Sequence, residues 1–437
     1  MSTRPLDLVV IGNGAAAAEA ALAVRAAGHR GEIDLFADNP HPPYNPMLGP
    51  YYVSGAISRR HCFPFGETDF YSRVRIRAHL GEKVVKLAPR QKRLTTIAGT
   101  EYTYRACLVA SGASTALPPV PGLDSPGVHG LRSFDDAVRL KKAVALAAAR
   151  AAQEGRRSHA LILGASFAGL KVADALHEAG MDVCIVEKEL SVLPLSIHPD
   201  CGQLLEQHLL DRGHRLVLGA TLASVETADG RLVARLRAPG VARDGTAGDP
   251  HRPPAEEADL LVVCSGSRPN LRFLAEGEVE TETGIVVDEH MMTSVPGLFA
   301  AGDVAQAIDP LSGLHRVVAL WASARRQGRT AGRNMAGLHA EDAGCVSCNV
   351  QMVGDLLFAS AGSIREYDRL DLRPESGGLA AWAYQDGRLA GFNLIGDAAP
   401  AGPLACALAR RIDVNVADAT SAAEWARRIT WMSSNAG

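Results

Sequence analysis

Residues 6–28 read LDLVVIGNGAAAAEAALAVRAAG, and this stretch contains three successive patterns. The apolar run at 6–11 is typical of a buried strand, the glycines after it indicate a tight turn, and the alanine-rich remainder has the composition of a helix. A second apolar run, EIDLFAD at 32–38, follows. Strand, helix and strand in this order predict a parallel sheet covered by helices, which is an α/β fold.

The same order returns at 159–188 in HALILGASFAGLKVADALHEAGMDVCIVEK. This sequence predicts a strand at 159–163, a helix at about 167–179 and a strand at 182–187. The Pro- and Gly-rich residues 115–127 are typical of a crossing between domains, and another helix is expected near 134–153. Residues 238–257 predict a long hairpin loop, and the alternating strands and helices from about 345 onward predict an α+β domain.

Length and charge limit the classes of function. The 437 residues are too many for one ordinary core and suit two or three domains. A net charge of −3 gives no field that attracts a polyanion, so nucleic acid is not expected as a partner. The sequence contains no run of about 18 apolar residues, and we expect a cytoplasmic protein without a membrane anchor.

The eight cysteines are scattered, and several lie in apolar, strand-like runs. In a reducing compartment this pattern is typical of small buried side chains rather than of a disulfide framework. Only Cys345 and Cys348 are closely spaced. They lack a second pair of zinc ligands and the strand-to-helix setting of a redox CxxC motif, so no metal site is predicted.

Residues 12–17, GNGAAA, match the GxGxxG/A pattern of a dinucleotide-binding turn. The first glycine makes the tight turn, the second lets the backbone approach a pyrophosphate, and the start of the helix faces the phosphate charge. The acidic Asp38 ends the next strand, where a carboxylate accepts a hydrogen bond from a ribose hydroxyl. The predicted binding residues are Gly12, Gly14, Ala15, Ala16 and Asp38.

Residues 164–169, GASFAG, form a second copy in which Ser166 replaces the middle glycine. Serine is small but less permissive than glycine, so this copy matches the pattern less well. Gly164, Ser166 and Phe167 are assigned to nucleotide binding. Glu187 ends the following strand, where a carboxylate binds a free 2′-hydroxyl and repels a 2′-phosphate, which favours NADH over NADPH. The alternative is a solvated Glu187 with Lys188 making the selection.

A third motif, TSVPGLFAAGDVA at 293–305, decides what the two turns hold. With it the sequence resembles the two-dinucleotide-binding-domain flavoproteins of the pyridine nucleotide-dependent oxidoreductase superfamily. The resemblance implies FAD at the first turn and a nicotinamide nucleotide at the second. It places Asp303, after Gly302, on the ribityl chain of FAD. It also assigns cofactor contacts to the small-residue turns at the two domain crossings and to a helix that faces the flavin pyrimidine: Ala110, Ser111, Gly112, Gly266 and Gln327.

The resemblance covers nearly the whole chain and implies its fold. We expect an α/β protein with two Rossmann-like dinucleotide-binding domains, the second inserted in the first, and a C-terminal α+β interface domain. The expected bounds are 1–115 and 272–340 for the FAD-binding domain, 116–271 for the NAD(H)-binding domain and 341–437 for the interface domain.

Members of this superfamily differ in what lies against the flavin, and the matching segment here is NPHPPYNPMLGPYYVSG at 39–55. It contains no cysteine. Met47 stands about where some relatives have a thiol, Cys62 comes some fifteen residues later, and residues 150–270 contain no CxxC. Thiol relay is therefore disfavoured, and the flavin itself must pass the electrons on. Asn45 is assigned to cofactor binding, and Pro46 and Met47 to a stiff apolar wall over the flavin.

The closest resemblance is then to ferredoxin and rubredoxin reductases and to the flavoprotein portion of nitrite reductases. Ferredoxin reductases usually carry a lysine near flavin N5, paired with a glutamate on the helix of the nicotinamide domain. Here the segment at 39–55 lacks the lysine, and the helix carries Lys171 where the glutamate is usual. One hypothesis is a charge swap in which Lys171 supplies a positive field to the flavin. The alternative is that Lys171 faces solvent or pairs with a nearby carboxylate.

The sequence thus predicts an NADH-dependent FAD reductase that passes electrons to a small redox protein, such as a ferredoxin or rubredoxin of an oxygenase system. One alternative is an NADH oxidase or diaphorase that reduces oxygen, quinone or another small acceptor. A second is a flavin-bearing subunit of a larger oxidoreductase complex. Arginines at near-helical spacing suggest a docking face for an acidic iron–sulfur protein, or else a solvated helix face: Arg325, Arg326, Arg329 and Arg333. The oligomeric state is left open.

Overall fold

The computed structural model describes residues 4–237, 241–242, 255–375, 377–412, 422–424 and 427. Its helices are α1 (Ala15–Ala26), α2 (Gly49–Ser54), α3 (Asp69–Val74), α4 (Phe134–Gln153), α5 (Phe167–Glu178), α6 (Pro199–Asp211), α7 (Trp321–Met335) and α8 (Ala401–Ala409), with short 3-10 helices at Pro46–Leu48, Arg59–Cys62 and Pro89–Gln91. Of the loop predicted at 238–257, residues 238–240 and 243–254 lie outside the described residues.

The strands of the first half are β1 (Arg4–Ile11), β2 (Ile33–Ala37), β3 (Arg77–Leu80), β4 (Val84–Ala88), β5 (Arg93–Thr96), β6 (Glu101–Val109), β7 (Ala113–Thr115), β8 (Val128–Gly130), β9 (His159–Leu163), β10 (Asp182–Glu187), β11 (Arg215–Leu218), β12 (Thr221–Ala228) and β13 (Arg231–Arg237). Those of the second half are β14 (Val241–Ala242), β15 (Ala255–Ala258), β16 (Leu260–Val263), β17 (Ser267–Pro269), β18 (Ile285–Val286), β19 (Leu298–Ala300), β20 (Ala305–Ile308), β21 (His315–Arg316), β22 (Cys348–Val353), β23 (Leu356–Gly362), β24 (Arg369–Glu375), β25 (Gly378–Gln385) and β26 (Arg388–Ile395).

The chain forms two compact units. Unit 1 consists of Met1–Gly49, Ser58–Ser114 and Ser267–Cys345, and unit 2 of Pro50–Ile57, Thr115–Gly266 and Val346–Gly437. Unit 2 thus groups the C-terminal strands with the second strand–helix–strand element, and it also takes in the short segment 50–57. The three-domain bounds given above stay a prediction.

Unit 1 is built on a sheet with the strand order β3-β2-β1-β6-β5-β4, and β19 also pairs with β6. The strands β3, β2, β1, β6 and β19 are parallel. The long strand β6 has two partners on one edge, because its first half pairs antiparallel with β5 and its second half parallel with β19. The apolar run of β1 is buried at the centre of this sheet, as expected of a parallel sheet with both faces covered.

Unit 2 contains a second sheet with the order β14-β11-β10-β9-β16-β8. Strands β11, β10, β9, β16 and β8 are parallel, and β14 closes one edge antiparallel. Helix α4 begins with a capping box, in which Ser133 Oγ accepts from the Asp136 amide (3.0 Å) and an Asp136 carboxylate oxygen accepts from the Ser133 amide (2.8 Å). Its apolar stripe packs into the core: Ala137, Leu140, Val144 and Ala147.

The C-terminal strands form an antiparallel sheet with the order β22-β23-β26-β25-β24. One face of this sheet packs against the helices of the same unit, because buried residues such as Phe358 and Ile395 share a continuous core with Leu205 and Leu209 of α6. The C-terminal sheet and the second parallel sheet are therefore parts of one hydrophobic core.

The predicted fold class is confirmed, since the structure contains two Rossmann-like parallel sheets, the second inserted into the chain of the first, and a C-terminal α+β portion. The predicted elements at 134–153, 159–163 and 182–187 have the observed bounds. Within the described residues, no helix is both long enough and apolar enough to traverse a lipid bilayer.

Candidate functional site

The first glycine turn lies between β1 and α1, and its shape depends on glycine. Gly12 has φ of +114°, and a Cβ there would lie 2.1 Å from the carbonyl oxygen of Ala110. Gly14 is the N-cap of α1 without a side-chain cap, and a Cβ there would meet nothing within 4 Å. A side chain at Gly14 would therefore extend into open space, and the small Ala15 and Ala16 follow directly at the start of α1. This arrangement fits the pyrophosphate of a dinucleotide.

Other predicted FAD-site residues lie around this turn in unit 1. Gly302 has φ of +81°, and a Cβ there would lie 3.2 Å from the Cβ of Ala16. Its amide donates to Gln327 Oε1 at 2.9 Å, and this side chain is buried. The Gly302–Asp303 turn, the start of α1 and the first turns of α7 thus meet at one place.

Helix α7 approaches α1 closely through two glycines whose role the sequence analysis missed. A Cβ at Gly328 would lie 2.2 Å from the carbonyl oxygen of Ala16, and one at Gly332 would lie 2.3 Å from that of Ala20. Glycines four residues apart, opposite alanines four residues apart, let the two backbones touch. The spacing is visible in the sequence, but its partner helix is about 300 residues away.

The crossing residues of unit 1 are tied together by hydrogen bonds. Ser111 Oγ donates to the carbonyl oxygen of Asn270 (3.0 Å), Asn270 Nδ2 donates to that of Ser111 (2.9 Å), and the Asn270 amide donates to Gly112 (3.0 Å). In unit 2, Gly266 has φ of +115° and accepts from the Ala116 amide at 3.0 Å. Both predicted small-residue turns are therefore ordered, and their cofactor contacts stay a prediction.

The segment predicted to face the flavin follows Asp38 in the sequence. Asp38 itself comes directly after β2 and is exposed. Asn45 Oδ1 accepts from the Met47 amide at 3.0 Å and so caps the 3-10 helix Pro46–Leu48. Pro46 is exposed, and Met47 is 59% exposed. The predicted wall therefore presents its side chains at the surface of unit 1 instead of burying them within the protein.

Cys62 is closer to this segment than its position in the sequence suggests. Its carbonyl oxygen accepts from the Asn45 amide at 2.8 Å. The thiol is buried, and this burial raises its pKa despite the opposing charge of Arg59. A buried thiol with a raised pKa is a poor source of thiolate. All eight cysteines of the chain lie in described residues, and none of them forms a disulfide bond there.

The second glycine turn, in unit 2, shows why serine is tolerated at its middle position. Position 164 requires glycine for two reasons. Its φ is +107°, and a Cβ there would lie 2.7 Å from the Cys264 carbonyl oxygen. Ser166 has extended backbone angles, φ −75° and ψ 170°, which suit any residue. Its hydroxyl donates to Cys264 O (3.0 Å) and accepts from the Gly169 amide (3.2 Å), so it caps α5. Phe167 begins α5 and stacks on Phe358 with ring centroids 5.9 Å apart.

Glu187 ends β10 beside this turn and is buried. Its carboxylate accepts from the Ala165 amide at 2.7 Å and the Glu189 amide at 3.0 Å. These bonds fix a negative charge next to the glycine turn. The side chain of Lys188 is 71% exposed and lies 3.7 Å from the Glu189 carboxylate. The structure therefore orders Glu187 and leaves Lys188 largely in solvent.

Lys171 pairs with a carboxylate of its own helix. Its Nζ lies 2.9 Å from Asp174 Oδ2, 3.3 Å from the Met352 carbonyl oxygen and 4.4 Å from the centroid of the Tyr51 ring, and its side chain is 12% exposed. Burial works against the charged lysine, but the hydrogen bond and charge of Asp174, helped by Tyr51, outweigh it and raise the Lys171 pKa. This is the paired geometry of the second alternative, and a role toward the flavin stays a prediction.

Three arginines of α7 have acidic neighbours within unit 1. Arg325 lies 2.5 Å and Arg329 3.2 Å from the carboxylate of the buried Glu19 on α1. Arg326 lies 2.5 Å from Asp342. These pairs hold α7 in place and partly neutralise the basic face suggested by the sequence, which weakens the case for docking there.

Comparison with known proteins identifies the family of this chain. A family model described as pyridine nucleotide-disulphide oxidoreductase matches residues 6–328. The NADH-dependent phenylglyoxylate dehydrogenase subunit epsilon of Aromatoleum evansii is 32% identical over 331 residues, which cover 75% of this chain and 72% of that protein. The rubredoxin-NAD(+) reductase of Ectopseudomonas oleovorans is 28% identical over 309 residues, which cover 70% of this chain and 74% of that protein.

Among solved structures, a ferredoxin reductase from Rhodopseudomonas palustris superposes with a TM-score of 0.83 at 23% identity, covering 97% of this chain and 99% of that one. This likeness concerns the fold. The match to the family model confirms the resemblance drawn from the three motifs and implies FAD and NAD(H) as cofactors. The chain therefore belongs to the pyridine nucleotide-disulphide oxidoreductase family and is a FAD-dependent NAD(P)H oxidoreductase.

Proposed function

We propose that this protein is an NADH-dependent reductase that passes electrons through FAD to a small redox protein of the ferredoxin or rubredoxin class. The observation that carries the proposal is the absence of a usable thiol beside the predicted flavin segment. Residues 39–55 contain no cysteine, and the neighbouring Cys62 is buried with a raised pKa. The name of the Ectopseudomonas relative supports the same class of acceptor.

The roles of the side chains follow from this proposal. FAD, when bound, supplies the redox chemistry by accepting a hydride and giving up electrons. The backbone at Gly12 and Gly14 would hold the pyrophosphate, Asp38 would bind the adenosine ribose, and Asp303 would bind the ribityl chain. The residues near the flavin would position the ring and exclude water from it. None of them needs to act as a nucleophile.

For the nicotinamide nucleotide we propose a preference for NADH, because Glu187 fixes a negative charge beside the second turn. Replacing it by glutamine in Glu187→Gln keeps the size and removes the charge. The ratio of kcat/KM for NADH to that for NADPH should fall by about tenfold, which corresponds to about 1.4 kcal/mol of charge repulsion against the 2′-phosphate. Lys188→Gln is the control, and a larger change in that variant would assign the selection to Lys188.

A second candidate is a flavin-bearing subunit of a larger oxidoreductase. It is favoured by the Aromatoleum relative, which is named as a subunit of an NADH-dependent dehydrogenase. In that case the acceptor is a neighbouring subunit instead of a diffusing protein.

The test is anaerobic stopped-flow reduction of the FAD-loaded protein by NADH, followed by mixing with air-saturated buffer or with oxidised ferredoxin or rubredoxin. Fast reduction, slow reoxidation by air and fast reoxidation by the redox protein support the proposal. Fast reoxidation by oxygen would instead identify an NADH oxidase. Fast reduction without any rapid acceptor among these supports the subunit role, and purification from the native host would then retain companion subunits.

A further inference from the structure

Asn13, between the two glycines of the first turn, makes contacts that the turn itself does not require. Its side chain is buried, and Nδ2 donates to the carbonyl oxygen of His41 and to the hydroxyl of Tyr71, both at 2.7 Å. The Tyr71 hydroxyl in turn donates to the same carbonyl oxygen at 3.3 Å. Three polar atoms from β1–α1, the loop after β2 and α3 thus form a closed triangle within unit 1.

The orientation of the Asn13 amide is set by these bonds. Its Oδ1 is buried and has no hydrogen-bond partner within the described part of the chain. A buried acceptor without a partner is unfavourable, and the flipped amide would place this oxygen against the His41 carbonyl. The side chain therefore keeps an orientation in which both Nδ2 hydrogens bind the loop and helix α3.

Asn13 donates a hydrogen bond to the loop that runs from Asp38 to Met47. Asp38 is the residue proposed to bind the adenosine ribose, and Met47 is the residue proposed to lie beside the flavin. The loop is attached at two points, since the His41 carbonyl binds Asn13 and the Asn45 amide binds Cys62 at 2.8 Å. The first attachment joins the loop directly to the backbone turn that fits the pyrophosphate.

We propose that Asn13 and Tyr71 are positioning residues for FAD: they fix the loop 38–47 to the pyrophosphate turn and so set the spacing between the two ends of the cofactor site. This inference rests on the proposed assignment of Asp38 and Met47 to FAD. It predicts that loosening the triangle weakens FAD binding and changes the surroundings of the flavin ring, although neither side chain needs to touch the ring.

Tyr71→Phe is the cleanest variant, because it removes one hydroxyl and leaves every atom of the turn in place. The variant loses the buried hydrogen bond from Asn13 Nδ2 and the longer one to the His41 carbonyl oxygen, and it is expected to raise the dissociation constant for FAD by about tenfold. The visible circular dichroism of the bound flavin should change as well. Asn13→Ala is expected to do the same, and the double variant should weaken binding by less than the product of the two single effects, because both act on one triangle.

Asn334 offers a matched control in the same unit. Its Nδ2 also donates two hydrogen bonds, here to the carbonyl oxygens of His290 and Ala340, both at 2.8 Å, and its Oδ1 accepts from the Ala340 amide at 2.7 Å. Asn334→Ala should lower the unfolding temperature about as much as Asn13→Ala does. Because Asn334 lies outside the triangle, the dissociation constant for FAD should stay within about twofold of wild type and the flavin dichroism should be unchanged.

The inference is overturned if folded Tyr71→Phe binds FAD within about twofold of wild type with the same dichroism, or if Asn334→Ala weakens FAD binding equally. Should Asn13→Ala not fold, the Tyr71→Phe result decides alone. These outcomes differ from failure of the proposed function, in which the wild-type protein itself would not bind FAD or would not be reduced by NADH.

Discussion

The close contact between α1 and α7 predicts that adding a methyl group there lowers the stability of the protein. In Gly328→Ala the new Cβ would lie 2.2 Å from the carbonyl oxygen of Ala16. Carbon and oxygen normally approach no closer than about 3.3 Å, so the helices must separate by roughly 1 Å. The obstacle is backbone and cannot rotate away. Overpacking of this kind costs about 1–3 kcal/mol, and the better helix propensity of alanine returns only about 1 kcal/mol.

Gly202 on α6 provides the matched control. It is also a buried helical glycine, but a Cβ there would meet Val192 O at 3.7 Å and Ser191 Cβ at 3.8 Å, which are ordinary contacts. Gly202→Ala should therefore be neutral or stabilising by up to about 1 kcal/mol. The two variants share the same chemical change and differ in what the methyl group meets.

The assay is thermal unfolding of the FAD-loaded protein at a fixed excess of FAD, followed by far-ultraviolet circular dichroism for both units and by the rise in flavin fluorescence on release for unit 1. Because the clash is with backbone, the cost is taken at the upper end of the range for overpacking, about 3 kcal/mol; less about 1 kcal/mol of helix propensity, this leaves a net loss of about 2 kcal/mol and a midpoint lower by roughly 4–8 °C for Gly328→Ala. Weaker FAD binding should accompany it, because α7 also holds Gly302 through Gln327. A Gly328→Ala midpoint equal to that of wild type would refute the close-contact reasoning.

Three further predictions concern single side chains. Met47→Cys should give a charge-transfer absorption band with oxidised flavin if Met47 faces the ring, and no band would place it elsewhere. In Lys171→Met the ion pair with Asp174 is lost, so thermal stability should fall while the flavin potential changes by less than about 30 mV; a larger fall in the potential would support the field hypothesis. The Asp259 carboxylate, although burial opposes its charge, has its pKa lowered by bonds of 2.6 and 2.7 Å from Arg156. A lowered pKa gives stability that is present above the unfolded pKa of about 3.9 and is lost as pH falls through the folded pKa. In denaturant unfolding, wild type should therefore be more stable than Asp259→Asn at about pH 6 to 7. This difference in the free energy of unfolding should shrink below about pH 4.

Local patterns predicted the elements around each glycine turn well, because a strand, a tight turn and a helix are specified by residues close in sequence. Gly12, Gly164 and Gly302 all have the positive φ that only glycine adopts readily. The sequence did not predict the contacts that depend on the tertiary fold. Tyr71 reaches Asn13 across 58 residues, and no local pattern distinguishes it from any other helical tyrosine. The separation of Cys62 from Met47 likewise suggested distance, whereas the turn of the chain brings Cys62 beside Asn45.

The electrostatic role of Lys171 illustrates why a substitution cannot be interpreted from charge alone. Lysine in place of the usual glutamate suggests an added positive field, but the structure supplies Asp174 at 2.9 Å and the face of Tyr51 at 4.4 Å. The field of an ion pair falls off faster with distance than that of a single charge, so little of it remains several ångströms away. Lys141 makes similar contacts with Tyr52, the residue after Tyr51. Its Nζ lies 2.6 Å from the Tyr52 carbonyl oxygen and 4.7 Å from the centroid of the Tyr52 ring. Two lysines therefore hold the segment 50–57 within unit 2, which gives Lys171 a structural role, and any action of Lys171 on the flavin stays a prediction.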